Sequence, residues 1–305
     1  MNNKKAKHIK IGTRGSPLAL WQAQQVLNKI ENSKIIKIKT TADIMANKPL
    51  SEIGGKGLFT RELDKALLNN KIDIAVHSLK DIPTNLPKKI GLTCILARGK
   101  DQDILIPAKK EWDILSLPKN SVIGTSSPRR TAQLKIIRPD ITIIPIRGNI
   151  HSRLKQVNDK NIHGIILALT GIKRLNIKTN YSILKNTSFL PSAGQGIIAT
   201  TYMKKNTKIK NLLKKHENFQ TLQQAIAERS VLEVLNGDCD SAIAVNSKIL
   251  GKNIYITSNV YSLNGKNMVQ SLLKGSIIDA KILGKKLGEK LIKNGALEIL
   301  KNDKQ

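Results

Sequence analysis

Short apolar runs that empty into polar, ionisable side chains recur along this chain. The fullest is Ile72–Pro83, IDIAVHSLKDIP. Ile72, Ile74, Ala75 and Val76 predict a strand buried on both faces. Ser78, Lys80 and Asp81 follow at once, before Pro83 stops regular structure. Open α/β sheets place their ligand chemistry at the carboxyl ends of buried strands. Taken alone, though, a Lys-Asp pair there reads first as a solvated strand end.

Other segments repeat the arrangement. His8–Gly12 predicts a strand, Ser16 and Pro17 an N-cap and first helical residue, and LALWQAQQVLNKI the helix they open. A strand turning through Arg14 and Ser16 into a helix N-terminus makes an anion pocket, or else an ordinary capped turn. At Val122–Leu134 the chain reads VIGTSSPRRTAQL, so that Ile123-Gly124-Thr125 echoes Ile11-Gly12-Thr13 and Ser127-Pro128 echoes Ser16-Pro17. Two α/β units of similar design are expected, one presenting Arg14 and the other Arg129 and Arg130. Ile141–Asn149 predicts a strand emptying into Arg147 and Asn149, with Arg153 one turn into the next helix. Gly164–Leu175 does the same for Arg174.

Between and beyond these lie the connections. Met45–Phe59 holds a glycine cluster around Lys56 without the spacing of a nucleotide-binding loop. It is either a flap carrying Lys56 and Phe59 or a plain loop before a helix that ends at Asn69-Asn70. Gly91–Ala97 predicts a strand with Cys94 buried in it, and RGKDQD (Arg98–Asp103) a crossing into the second unit. LPSAGQG (Leu190–Gly196) reads as a hinge, after which IIATTYM returns the chain to the first unit. A helix from Glu217 to about Leu235 leads to NGDCD, which puts Cys239 in a tight loop. Strand SAIAV, a hairpin turning at Asn264-Gly265 and a helix from Asp279 to Asn294 complete a small α+β domain.

Composition narrows the ligand. Lys plus Arg number 52 against 22 Asp plus Glu, a net charge of +30, which invites a nucleic-acid reading. Aromatics are only 3%, however, so stacking platforms are scarce. Only 10 of the basic residues are Arg, and six of those fall between Arg129 and Arg174. Because the guanidinium fork suits carboxylates and phosphates, an anionic ligand is implied and nucleic acid is not. The two cysteines make no disulfide framework, and no spacing of Cys or His suggests a metal site. MNNKKAKHIKIG has no apolar core of a secretory signal, and no apolar run nears the roughly 20 residues that span a bilayer. A cytoplasmic protein with no membrane partner is expected.

GTRGSPLALWQ, GGKGLF, DIAVHSLKDIP, GTSSPRR, RGNIHSRL, LALTGIKRL, GQG and the NGDC loop, in this order, resemble the porphobilinogen deaminase (hydroxymethylbilane synthase) family over nearly the whole chain. The resemblance implies two periplasmic-binding-protein-like (type II) α/β lobes and a small C-terminal α+β domain. Residues 1–97 with 197–216 would form the first lobe, 101–191 the second and 217–305 the third domain, in a monomer. It further implies a transferase of tetrapyrrole biosynthesis that joins four porphobilinogen molecules head to tail, releases ammonia and yields hydroxymethylbilane. The implied cofactor is a dipyrromethane attached through Cys239. Asp81 matches the family's catalytic aspartate. Arg14, Ser16, Gln22, Lys56, Phe59, Arg147, Asn149, Arg153 and Arg174 match positions that handle substrate or the elongating polypyrrole chain. Ser78, Lys80, Thr125, Ser126, Ser127, Arg129, Arg130 and Gln195 match those that hold the cofactor.

The chain departs from the family pattern in places. Asp238 and Asp240 flank Cys239, Ala242 stands where a proline is usual, His163-Gly164 replaces Asp-Ala, and Ala42 replaces a loop glycine. The two flanking carboxylates are expected to raise the thiol pKa and slow attachment. Two other classes compete. A polycarboxylate-binding protein would share the lobes but needs neither Cys239 nor Asp81, and a nucleic-acid binder would bind in a steeply salt-dependent way.

Overall fold

The computed structural model describes residues 8–44, 57–159, 161–237 and 241–302. The chain divides into two compact units. The first runs to Arg98 and takes in Ile197–Leu222; the second holds Gly99–Gly196 and everything from Gln223 onward.

In the first unit β1 (Ile9–Thr13), β2 (Ser33–Lys37), β3 (Ile74–Ser78), β4 (Ile90–Thr93) and the late strand β10 (Ile198–Met203) form one sheet in the order β2-β1-β3-β10-β4. β1 pairs in parallel with β2 and β3, whereas β10 runs antiparallel between β3 and β4. The returning chain therefore joins the first sheet as the sequence predicts. Alternation along β3 explains its unbroken apolar run. Ile74 and Val76 face a cluster with Ile11, Ala23 and Val26, while Ala75 faces Leu63, Leu67 and Ile90. Ala23 and Val26 come from α1 (Pro17–Leu27), and Leu63 and Leu67 from α3 (Arg61–Leu68), which follows the single turn α2 (Thr41–Ile44).

The second unit repeats the plan. β5 (Asp103–Pro107), β6 (Val122–Gly124), β7 (Thr142–Ile144), β8 (Gly164–Ala168) and β9 (Ser182–Leu184) lie in the order β7-β6-β8-β5-β9, with β5 antiparallel to β8 and β9. Three helices accompany them: α4 (Pro128–Ile137), α5 (Ile150–Asp159) and α6 (Leu169–Arg174). Two sheets, each with four strands running one way and a fifth inserted antiparallel, make the expected pair of type II α/β lobes. The echoed Ile-Gly-Thr has one cause in both sheets. A Cβ at Gly12 would collide with Ile72, and one at Gly124 would lie 2.7 Å from Ile146.

The chain from Gln223 onward also builds a three-stranded antiparallel sheet, β11 (Ile243–Leu250), β12 (Asn253–Tyr261) and β13 (Met268–Ser276). Its apolar face packs Val245, Ile254 and Ile256 against Val231, Leu287 and Leu291. Those last three belong to α8 (Phe219–Val234) and α9 (Ala280–Lys293), and α10 (Ala296–Asn302) follows. This is the small α+β part of the expected class.

Three element readings need correction. The strand expected over Ile141–Asn149 stops at Ile144, because Pro145 has no N–H to offer a ladder. The strand through Cys94 ends at Thr93, and the Cys94 carbonyl instead accepts the Asn218 N–H. The helix expected from Glu217 starts at Phe219, where the Asn218 side chain accepts the Thr221 N–H and sets the boundary. Four helices were not foreseen: α2, α6, α10 and α7 (Thr207–Lys215). The lysines of α7 mask an apolar stripe, Ile209 and Leu213, that packs on the first sheet.

Candidate active site

The carboxyl ends of β1 and β3 lie side by side in the first sheet, and Arg14, Ser16, Gln22, Ser78, Lys80 and Asp81 end or follow them or line the helix they open. Ser16 caps α1, its Oγ accepting the Ala19 N–H at 3.4 Å, with Pro17 at the first helical position. Thr13, fully buried, ties the turn down by donating to the Ala19 carbonyl. One turn into α1 the buried Gln22 donates to Ser78 Oγ at 2.8 Å, which joins two predicted residues. Beyond Ser78 the backbone makes a single 3₁₀ turn, Leu79–Asp81. Leu79 is buried and its N–H bonds to the Ile197 carbonyl, so Lys80 and Asp81 stand half-buried on a fixed turn.

Arg14 is held on two sides. Its Nη2 and Nε donate to the Asp43 carboxylate at 2.5 and 3.3 Å, and its guanidinium lies 4.6 Å from the Phe59 ring centroid. Burial works against the Asp43 charge, but the bonds from Arg14 and Thr40 outweigh it and hold the carboxyl below its usual value. His77, fully enclosed beside Thr201 in β10, is pushed down to about 4, first by burial and then by the Arg14 charge. It stays neutral at physiological pH.

The second unit builds its turn from the same motif with a different outcome. Ser127 caps α4 by accepting the Arg130 N–H, the Thr125 hydroxyl accepts the Ser127 N–H, and Ser126 donates to the Ile146 carbonyl. Arg129 and Arg130 turn inward. Each donates to Asp103 at 2.7 Å, and each gives a second bond to a backbone carbonyl, of Leu190 and Ile166 respectively. Asp103 is wholly buried and also accepts from the enclosed Gln195 at 3.0 Å. Burial pulls Arg129 below the ordinary guanidinium value, Asp103 opposes that pull, and the Arg130 charge adds to it. The cluster keeps one more positive than negative charge. It also contains two buried Nε–H groups, of Arg129 and Arg130, with no hydrogen-bond partner among the described residues.

The remaining predicted groups lie in the second unit's loops. Asn149 caps α5 by accepting the Ser152 N–H, and Arg153 reaches back to the Gly148 carbonyl. Arg147 is half-buried. Arg174 donates to the Gly196 carbonyl at 2.7 Å and is pulled down to about 10 by burial. Lys56 and Cys239, with Asp238 and Asp240, lie outside the described residues. Among the described residues no group of three or more His, Cys, Asp or Glu is arranged for a metal ion, and no helix is long and apolar enough to cross a membrane.

Sequence reasoning missed Asp43 and Asp103. Both are the acids on which predicted arginines close. Asp103 opens a strand with an ionised residue where an apolar one is ordinary, and that was a usable signal. Asp43 sits in a polar stretch with none.

Two family models cover nearly all of the chain. "Porphobilinogen deaminase, dipyromethane cofactor binding domain" matches residues 9–211, and "Porphobilinogen deaminase, C-terminal domain" matches residues 222–293. The chain belongs to the porphobilinogen deaminase family and is an enzyme of that class. The porphobilinogen deaminase of Alkaliphilus metalliredigens is 38% identical over 299 residues, 96% of this chain and 94% of the relative. That of Geobacter metallireducens is 37% identical over 301 residues, again 96% and 94%. Among solved structures, the GluR0 ligand-binding core in complex with L-glutamate matches at 12% identity with a TM-score of 0.41, covering 70% of this chain and 91% of that one. That likeness is too slight to carry an argument.

Proposed function

We propose that this chain polymerises four porphobilinogen molecules head to tail into hydroxymethylbilane, releasing ammonia, on a dipyrromethane primer bound through Cys239. The observation that carries the reading is the surplus of cationic donors at the strand ends. A growing chain of pyrroles, each with an acetate and a propionate, needs guanidinium forks and helix N-termini to balance its carboxylates. The Arg129–Arg130–Asp103 cluster, with its excess positive charge and unpartnered Nε–H groups, fits a polycarboxylate pyrrole cofactor. Ser78, Lys80, Thr125, Ser126, Ser127, Arg129, Arg130 and Gln195 would hold that cofactor. When bound it supplies the pyrrole carbon to which the first substrate is joined.

Asp81 is the catalytic carboxylate. From its fixed turn it stabilises the cation that substrate deamination creates and assists the proton transfers at the reacting ring. Arg14, Ser16, Gln22, Lys56, Arg147, Asn149, Arg153 and Arg174 bind the carboxylates of substrate and elongating chain, and Phe59 covers the reacting end. The working molecule is a cytoplasmic monomer of three domains, 1–97 with 197–216, 101–191 and 217–305. Incubation with porphobilinogen, following ammonia and hydroxymethylbilane together, tests the reading. One ammonia per porphobilinogen consumed, abolished by heat and strongly reduced in Asp81→Ala, supports it. Uptake of porphobilinogen without ammonia release leaves a binding protein.

A further inference from the structure

We infer that Asp43 is a positioning residue for substrate binding, holding Arg14 so that one edge of its guanidinium is presented to a substrate carboxylate. The inference rests on the proposed role of Arg14 and extends it to a residue with no assigned part.

The geometry is one continuous brace. Asp43 engages Arg14 from the side, through Nε and Nη2, which leaves the opposite Nη1 edge of the fork unused by this contact. The ring of Phe59 supports one flat face of the same guanidinium. Asp43 is itself fixed, because the same oxygen that meets Arg14 Nε also accepts from Thr40 N at 3.2 Å and Thr40 Oγ1 at 2.8 Å. Thr40 is fully buried. The neighbouring Thr41 donates to Glu62 on α3 at 2.6 Å, which pins the single-turn α2 to the helix that follows Phe59. A long, mobile side chain is thus locked in one rotamer from two directions before any substrate arrives. Such preorganisation removes an ordering cost from binding. A carboxylate is suited to this task and a neutral side chain is not, since it bonds two adjacent N–H groups of one fork at once. The half-exposed pair, with 21% and 25% of the two side chains accessible, contributes little to folding stability. What the contact does is fix the orientation of Arg14.

The test is a cycle of Asp43→Ala, Arg14→Ala and the double variant, with Asp43→Glu as the conservative change. Each is assayed for kcat and KM with porphobilinogen and for thermal unfolding. Asp43→Ala is expected to raise KM about tenfold with kcat within about threefold and Tm nearly unchanged. Asp43→Glu should recover part of the loss. In the Arg14→Ala background, Asp43→Ala should add less than about twofold. An equal loss in both backgrounds, an unchanged KM, or a lower KM overturns the inference, the last because it would make Asp43 a competitor of the substrate. Calorimetric titration of porphobilinogen into the same four proteins reads the cycle as Kd. A wild-type chain that binds but does not turn over therefore counts against the proposed reaction alone, and the Asp43–Arg14 coupling is still measured.

Discussion

The two five-stranded sheets share one construction and place different chemistry at the same strand ends. Their registers align them residue by residue. Ile74 and Ala75 of β3 pair with Ile11 and Gly12, and Gly164 and Ile165 of β8 pair with Ile123 and Gly124. His77, Ser78, Lys80 and Asp81 thus correspond to Leu167, Ala168, Thr170 and Gly171. The inserted antiparallel strand shows the reverse bias, since Ile198 lies opposite Ser78 in the first sheet and Asp103 lies opposite Ala168 in the second. The first sheet therefore keeps Lys80 and Asp81 half-buried at the strand end, and the second buries its charges as an Arg-Asp-Arg cluster. A half-buried acid and Arg14 suit a ligand that arrives, reacts and leaves. A buried, already ordered cationic cluster suits one that is held permanently.

The largest effect that could break this comparison is at Asp81. Asp81→Gly gives the first sheet the residue of the second, and kcat should fall about 10²- to 10⁴-fold, measured as hydroxymethylbilane formed per enzyme. Near-normal turnover would remove the asymmetry of function. Asp103→Ala comes next. It leaves two buried guanidinium groups without a counter-charge and should cost about 3–5 kcal/mol in urea unfolding. Arg14→Ala, at the more exposed pair, should cost less than about 1 kcal/mol in the same assay. Equal costs would mean that burial does not distinguish the two turns.

His77 sharpens the contrast through pH. Its folded value of about 4 lies below the free value of 6.5, so between those limits the unfolded chain binds a proton that the folded chain does not. Its contribution is full above pH 6.5 and is lost as pH falls towards 4, by up to about 3 kcal/mol. His77→Leu, which copies the second sheet, should flatten that part of the stability profile. Small effects are also expected at the two caps. Ser16→Ala and Ser127→Ala are expected to cost about 1 kcal/mol each, and alike, because both turns use the same hydroxyl in the same way.

Much of the fold was legible because its signals are local. The Ser-Pro caps, the paired Ile-Gly-Thr turns and the Asn264-Gly265 hairpin each state their geometry within a few residues. The run through Ile74 and Val76 likewise declared a strand buried on both faces. What stayed hidden depends on tertiary partners. The apolar stripe of α7 is two residues among lysines, and only the sheet beneath it makes them a core. Likewise Arg129 and Arg130 can be read as cations from the sequence, but not as cations that turn inward. Their partner Asp103 is 26 and 27 residues away, brought there by the antiparallel insertion of β5. Asp43 is hidden for the same reason, since it matters only through the arginine 29 residues before it.

The measurement closest to the central claim is the intact mass of the purified protein beside its Cys239→Ser variant, each before and after incubation with porphobilinogen. The account predicts an added mass of two linked pyrrole units on the wild-type chain and none on the variant. A wild-type chain that stays unmodified after incubation would contradict it, and would leave the two sheets as the frame of a polycarboxylate-binding protein.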